Sequence, residues 1–232
     1  MDLNFSIDEK GRAFYSLNFH DKPVILNSGL GFMLKDNVEW MKIDTLDMMN
    51  NFKILNVTFD SVDEYWNPVW GEESEIRNNY NEMFVELQQI ESERKVNNRF
   101  RLFDDSLGFR YEFPLQEKLG SFIIIDEKTE FAMAGDHTAM WIPGDYDTQE
   151  YNYTTSKLSE IEQKSIEFKE ENVSMYRFSN WAVQTALMMK SQNGLYINIH
   201  EAALIEYSAM HLEFNPVNMT CLLYTSDAAD EV

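Results

Sequence analysis

Cysteine is almost absent from this sequence. The single thiol, Cys221, excludes a disulfide framework and a thiolate metal cluster. Histidine is nearly as scarce: His20, His137, His200 and His211 fall at no zinc-ligand spacing. Positive charge is short too, with 19 Lys and Arg against 40 Asp and Glu, a formal net charge of -21. Such a field repels phosphate backbones, so nucleic acid is excluded as a partner, and neutral sugars or cations suit it better. No apolar run approaches a bilayer span, which excludes a membrane helix as a partner of lipid. The opening Met1-Asp2-Leu3-Asn4-Phe5 carries neither a basic stretch nor an apolar signal core, so this copy, taken literally, is expected to stay in the cytoplasm, although a truncated gene would read the same way. Phosphate loops, nucleophile elbows and His-Glu-x-x-His zinc motifs are all missing.

What is present favours a folded domain. Hydrophobic residues make up 44% and aromatics 14% of 232 residues, enough for a sizeable core and against disorder. Ala13 to Phe19 alternates apolar and polar residues, as a half-buried strand does. His20-Asp21-Lys22-Pro23 reads as a turn before Val24-Ile25-Leu26. Phe52 to Phe59 alternates again. Met83 to Leu87 and Arg99 to Phe103 flank a polar stretch, Glu91 to Asn98, expected to be a hairpin loop. Phe109 to Phe113 ends at Pro114, and Phe122 to Ile125 and Glu130 to Met133 follow. Ala182 to Met189 and Leu195 to Ile199 read as late strands joined through Asn193-Gly194, a strong hairpin signal. Ser156 to Glu171 is charged and poorly periodic, hence a long loop or a short surface helix. Many short strands separated by turns predict an all-β sandwich in one unit. The last residues, Cys221 to Glu231, read like the translation of a transposon-end adaptor from sequencing libraries. Residues 221–232 are therefore expected to be non-native and 1–220 to form the domain.

Three stretches hold the candidate chemistry. His200-Glu201 follows a strand, so Glu201 either points into a site from a rigid element or is an ordinary edge carboxylate. Met140 to Tyr153 mixes rings with short acids and amides. Aromatic faces under sugar C–H surfaces and carboxylates on sugar hydroxyls would use that mixture, with Trp141, Asp145 and Tyr146 foremost; the alternative is a structured loop packing its rings. Tyr65 to Glu82 holds two tryptophans and an arginine among acids, which reads as a packed corner with an internal salt bridge. The 13 methionines suit gap-filling in the core.

Trp66 to Glu82, Phe100 to Pro114, Gly135 to Tyr153 and Val183 to Leu212, in this order, resemble glycoside hydrolase family 97 and its α-glucosidase branch. The resemblance implies a large antiparallel β-sandwich, a super-sandwich of the galactose-mutarotase-like kind, ahead of a (β/α)₈ catalytic barrel in the parent chain. It implies an inverting mechanism, with one carboxylic acid protonating the leaving oxygen and one carboxylate activating water, both on the barrel. No catalytic residue is therefore expected in this chain. The substrate expected is an α-linked gluco-oligosaccharide derived from starch, and the compartment expected for the family is the periplasm. The resemblance also implies a calcium ion bound mostly by the barrel, with Glu201 as the one ligand from the sandwich. Trp141, Asp145, Tyr146 and His200 are then candidates to touch substrate. The chain alone should bind calcium very weakly and lack activity, and the face that packs on the barrel should be apolar and exposed. Competing readings are a stand-alone carbohydrate-binding module, a purely structural domain, or the same domain from a retaining α-galactosidase.

Overall fold

The computed structural model describes residues 1–36, 45–168, 176–177, 179–205, 207–217 and 219–225. Its strands, in chain order, are β1 (Asp2–Ile7), β2 (Ala13–Phe19), β3 (Lys22–Leu30), β4 (Phe32–Asp36), β5 (Thr45–Met48), β6 (Phe52–Trp66), β7 (Ile76–Gln89), β8 (Lys95–Leu102) and β9 (Leu107–Glu112). They continue with β10 (Phe122–Glu127), β11 (Glu130–Ala132), β12 (Thr138–Trp141), β13 (Thr154–Lys157), β14 (Ala182–Gln184), β15 (Leu187–Lys190), β16 (Tyr196–Ile199), β17 (Met210–Asn215) and β18 (Thr220–Thr225). A 3₁₀ turn, Leu158–Glu160, leads into the short helix α1 (Ile161–Glu167).

Among the described residues every ladder is antiparallel, and the strands form five sheets: β1-β2-β3, β10-β4-β5, β11-β18-β17-β14, β13-β12-β15-β16 and β6-β7-β8-β9. This is the layered antiparallel sandwich expected from the sequence. One apolar core joins the sheets, with Tyr15, Leu34, Phe100, Trp141, Leu187 and Phe214 at 2% exposure or less. Each such side chain contributes about 1.5–3 kcal/mol as an upper estimate. Tyr15, Phe100, Phe109 and Phe131 form a chain of tilted rings through it.

The clearest alternation gives the clearest strand. β2 has the bounds the pattern predicts, with Ala13, Tyr15 and Leu17 buried in turn. The turn after it is only His20-Asp21, both at positive φ, because Phe19 already pairs with Lys22. Those two left-handed residues match the twist that a two-residue hairpin turn requires. Gly11 sits at φ 71 with Phe52 N only 2.4 Å from where a Cβ would be, so no other residue fits there.

Four expectations need correction. The run from Ala182 to Met189 is not one strand: it breaks at Thr185-Ala186, and its halves join different sheets, β14 with β17 and β15 with β16. Apolar character runs through the break, so hydrophobicity does not mark it. The polar loop is shorter than Glu91 to Asn98, because β8 starts at Lys95 and buries Asn97 and Asn98. The Tyr65 to Glu82 stretch is no packed corner. It forms the tip and returning arm of a long β6–β7 hairpin, with Val69 100% and Trp70 89% exposed. Its arginine, Arg77, does pair, but with Asp63 across the hairpin at 2.7 Å and in solvent. Trp141 is the fourth correction, because it lies in the core and shows no ring face to solvent.

The described part of Ser156 to Glu171 is β13 and the short helix, anchored by buried Leu158 and Ile161. β18 runs through the 220/221 boundary. Cys221 is fully buried opposite Phe131 and Phe214, and burial pushes its thiol up to about 12, so it stays neutral. Residues 226–232 of the tail lie outside the described residues. No helix among the described residues is long and apolar enough to cross a membrane.

Candidate functional site

The strand β16 stops at Ile199, where its pairing with Leu187 ends, and the chain turns out at His200. Glu201 then folds back over the adjoining ends of β14 and β17. Met210 N, the first residue of β17, donates to Glu201 Oε1 at 2.6 Å. Thr185, just past β14, has its hydroxyl 2.8 Å from Glu201 Oε2 and 3.0 Å from Met210 O. β14 and β17 pair through Gln184 and His211, so these donors come from neighbouring strand ends of one rigid sheet. Glu201 is half-buried, and among the described residues it has no Lys or Arg partner. Its charge is oriented by neutral donors and left uncompensated.

The second half of the site is built on Asp145, which is 3% exposed. Its Oδ2 accepts from Tyr151 OH and from Tyr176 N, both at 2.6 Å. Its Oδ1 accepts from Asp147 N at 2.8 Å and Thr148 N at 3.3 Å. Burial pushes the carboxyl up, but these donors outweigh it and hold the group below its ordinary range. The neighbouring Tyr151 hydroxyl is raised, by burial first and then by the carboxylate it serves. Gln184 stitches the same loop from below, donating to Pro143 O at 3.0 Å and Thr148 O at 2.7 Å.

His211 links the halves. It follows Met210, and its Nε2 donates to Asp145 O at 3.2 Å. Burial holds this imidazole below its ordinary pKa, against the pull of Asp145 and Glu201, so it is neutral at pH 7. A continuous path thus runs from Glu201 through Met210 and His211 to Asp145 and on to Tyr146.

The candidates read from the sequence fall differently within this frame. Trp141 Nε1 donates to Ser156 Oγ at 3.0 Å across β12 and β13, and the fully covered indole belongs to the core. Asp145 is a structural anchor whose oxygens are engaged by the loop. Tyr146, at 42% exposure, and Tyr153, at 66%, are the rings of that stretch that face solvent. His200 is exposed and curls onto its own loop, with Nδ1 donating to Glu201 O at 2.9 Å. Sequence reasoning missed Thr185, His211, Tyr151 and Tyr176, since only strand pairing and the fold bring them to the loop.

Among the described residues no three His, Cys, Asp or Glu side chains lie close enough to hold a metal ion by themselves. Glu201 nevertheless fits one corner of a calcium site. Its two oxygens each hold one donor and keep a lone-pair direction, and calcium takes six to eight such oxygens.

Comparison with known proteins agrees with this architecture. The family model for the glycosyl-hydrolase 97 N-terminal domain matches residues 1–230, and the chain belongs to that family. A family 97 enzyme from Pseudoalteromonas sp. strain K8 in complex with acarbose superposes at TM-score 0.80 with 30% identity, over 97% of this chain and 30% of that one. A variant from the same strain in complex with panose gives 0.79 and 31% over the same shares. A retaining α-galactosidase of Bacteroides thetaiotaomicron is 22% identical over 223 residues, 91% of this chain and 29% of the relative. The chain therefore spans about a third or less of the length of these relatives.

Proposed function

We propose that this chain is the N-terminal sandwich of a calcium-dependent inverting α-glucosidase acting on starch-derived oligosaccharides. The carrying observation is Glu201: a half-buried carboxylate held at a strand end by Met210 N and Thr185 Oγ1, with no Lys or Arg partner among the described residues. In this reading Glu201 completes a calcium site whose other ligands belong to a (β/α)₈ barrel of the same parent chain. The bound ion would supply positive charge beside the scissile bond. Thr185 and Met210 fix the carboxylate's direction, and neutral His211 adds no competing charge beside it. No residue of this chain is assigned to proton transfer. The parent works in the periplasm, and residues 221–232 are adaptor-encoded. Sequencing the source locus through codon 220 decides the last point and shows whether a barrel follows.

Identity of 30–31% with enzymes solved with acarbose or panose favours the glucosidase reading. The match to a retaining α-galactosidase is the observation for a second one. Proton NMR of the parent's first product separates them. Panose or maltotriose should release sugar of inverted anomeric form, and the rate should fall with a chelator and return with calcium. Preferential cleavage of an α-galactoside with retention contradicts the proposal.

A further inference from the structure

Tyr146 and Tyr176 stand side by side on the surface, 42% and 64% exposed, with ring centroids 5.7 Å apart and planes inclined by 50°. Exposed aromatic rings occur elsewhere on this chain, notably at the hairpin tip, but these two differ in how their backbones are held. Tyr176 N donates to buried Asp145 at 2.6 Å, and Tyr146 N donates to Tyr176 O at 3.2 Å. Asp145 and Arg177 form an antiparallel bridge, and Arg177 Nη2 donates to Phe168 O at 3.0 Å, which ties the segment to the end of α1. A buried carboxylate has thus been given over to setting two rings that face water. With their backbones held, the rings are presented to water from fixed positions, so a ligand meeting them loses less entropy on binding.

We infer that Tyr146 and Tyr176 form a stacking platform for an α-linked gluco-oligosaccharide, set on the same sheet ends that carry Glu201. An anionic ligand is disfavoured, since the chain carries a formal charge of -21, whereas a neutral sugar is not repelled. A pyranose has an apolar C–H face to lie on a ring and a rim of hydroxyls for the acidic neighbours Asp147 and Glu150. An α-linked glucan is curved, and two faces inclined by 50° follow a curve, where a straight β-linked chain calls for nearly coplanar ones. His211 connects the platform to the Glu201 strand end by way of Asp145 O, so bound sugar would approach that carboxylate from a fixed side. This inference rests on the carbohydrate reading above and not on the metal role of Glu201.

The test is an NMR titration of the 232-residue chain with maltotriose and, separately, cellotriose. Maltotriose should shift the Tyr146 and Tyr176 ring signals. Tyr146→Ala and Tyr176→Ala should each weaken its affinity about fivefold or more. Tyr176→Phe should stay within about twofold, because the face and not the hydroxyl does the work. Cellotriose should bind several-fold more weakly. Alanine variants that bind like the native chain, a native chain that does not bind maltotriose, or equal binding of cellotriose would each overturn the platform. Glu201→Gln separates the two readings. If maltotriose binding depends on Tyr176 while the parent shows no calcium response at Glu201, the metal reading fails and the platform stands. If the parent cleaves panose with calcium, and its KM ignores both alanine variants, the platform fails alone.

Discussion

The sheet β6-β7-β8-β9 and the strand ends around Glu201 both set carboxylates beside aromatic rings, yet they use them in opposite ways. On the outer face of the sheet, Glu82 and Glu112 are neutralised by arginine. Arg99 donates to Glu112 at 2.6 Å, pairs with Glu82, and lies 4.3 Å from the Phe84 ring centroid; Arg101 reaches Glu82 at 3.0 Å. At the strand ends, Asp145 and Glu201 make no ion pair among the described residues and are served by backbone N–H groups and hydroxyls. Paired acids make a ladder that needs no further partner. Of the two unpaired acids, Asp145 has both oxygens taken up by the loop, while Glu201 keeps lone pairs open, which is what a cation site requires. The kind of donor, more than the number of acids, separates scaffold from candidate site.

The comparison breaks most sharply at Asp145. Asp145→Ala strands the Tyr151 hydroxyl and the Tyr176 N–H in a buried place and should cost about 3 kcal/mol in chemical denaturation. Hydrogen exchange at residues 176 and 177 should rise with it. An unchanged stability would mean the anchor is superfluous. Within the ladder, Arg99→Ala should cost only about 1 kcal/mol, since Glu82 keeps Arg101 and Glu112 keeps Arg110 as partners. Arg77→Ala, at the exposed hairpin tip, should give no measurable change, and equal effects would erase the distinction between the two settings.

A smaller effect than that at Asp145 concerns His137, whose ring is 5% exposed with neither nitrogen hydrogen-bonded. Burial lowers its pKa, as it does for His211, so the unfolded chain takes up these protons first as pH falls. Both histidines therefore make stability fall from about pH 7 to pH 5. Buried Glu127 acts the other way: burial raises its carboxyl, so its contribution is lost as pH rises. His137→Leu should raise stability by about 1 kcal/mol near pH 6 and flatten the slope below pH 7, as read from urea unfolding at several pH values. An unchanged slope would show that His137 is not buried neutral.

Legibility in the sequence followed the range of the signal. β2 was readable because alternation is local, and the β15–β16 hairpin because Asn193-Gly194 marks its own turn, with Gly194 at φ 84. The break at Thr185 was not, because what ends β14 is its partner β17, far along the chain. The hairpin tip misled for a related reason: tryptophans usually mean packing, but here no second layer covers them within the described residues. Glu201 was marked as a candidate by its place after a strand. Its function-bearing surroundings were hidden, since Met210, Thr185 and the His211–Asp145 contact depend on pairing between β14 and β17. In the loop from Met140 to Tyr153 the composition located the right segment but not the roles. Burial, which composition cannot show, made Trp141 core and Asp145 an anchor and left Tyr146 and Tyr153 as the rings that face water.

The account stands or falls on the charge that Glu201 keeps. The direct measurement is calorimetric titration of calcium into the parent enzyme and its Glu201→Gln variant, with the 232-residue chain alongside. One tight site in the parent, about a hundredfold weaker after Glu201→Gln, with only weak binding to the chain alone, is the predicted result. Calcium binding of undiminished affinity in the variant, or tight stoichiometric binding to the chain alone that survives the substitution, would contradict it.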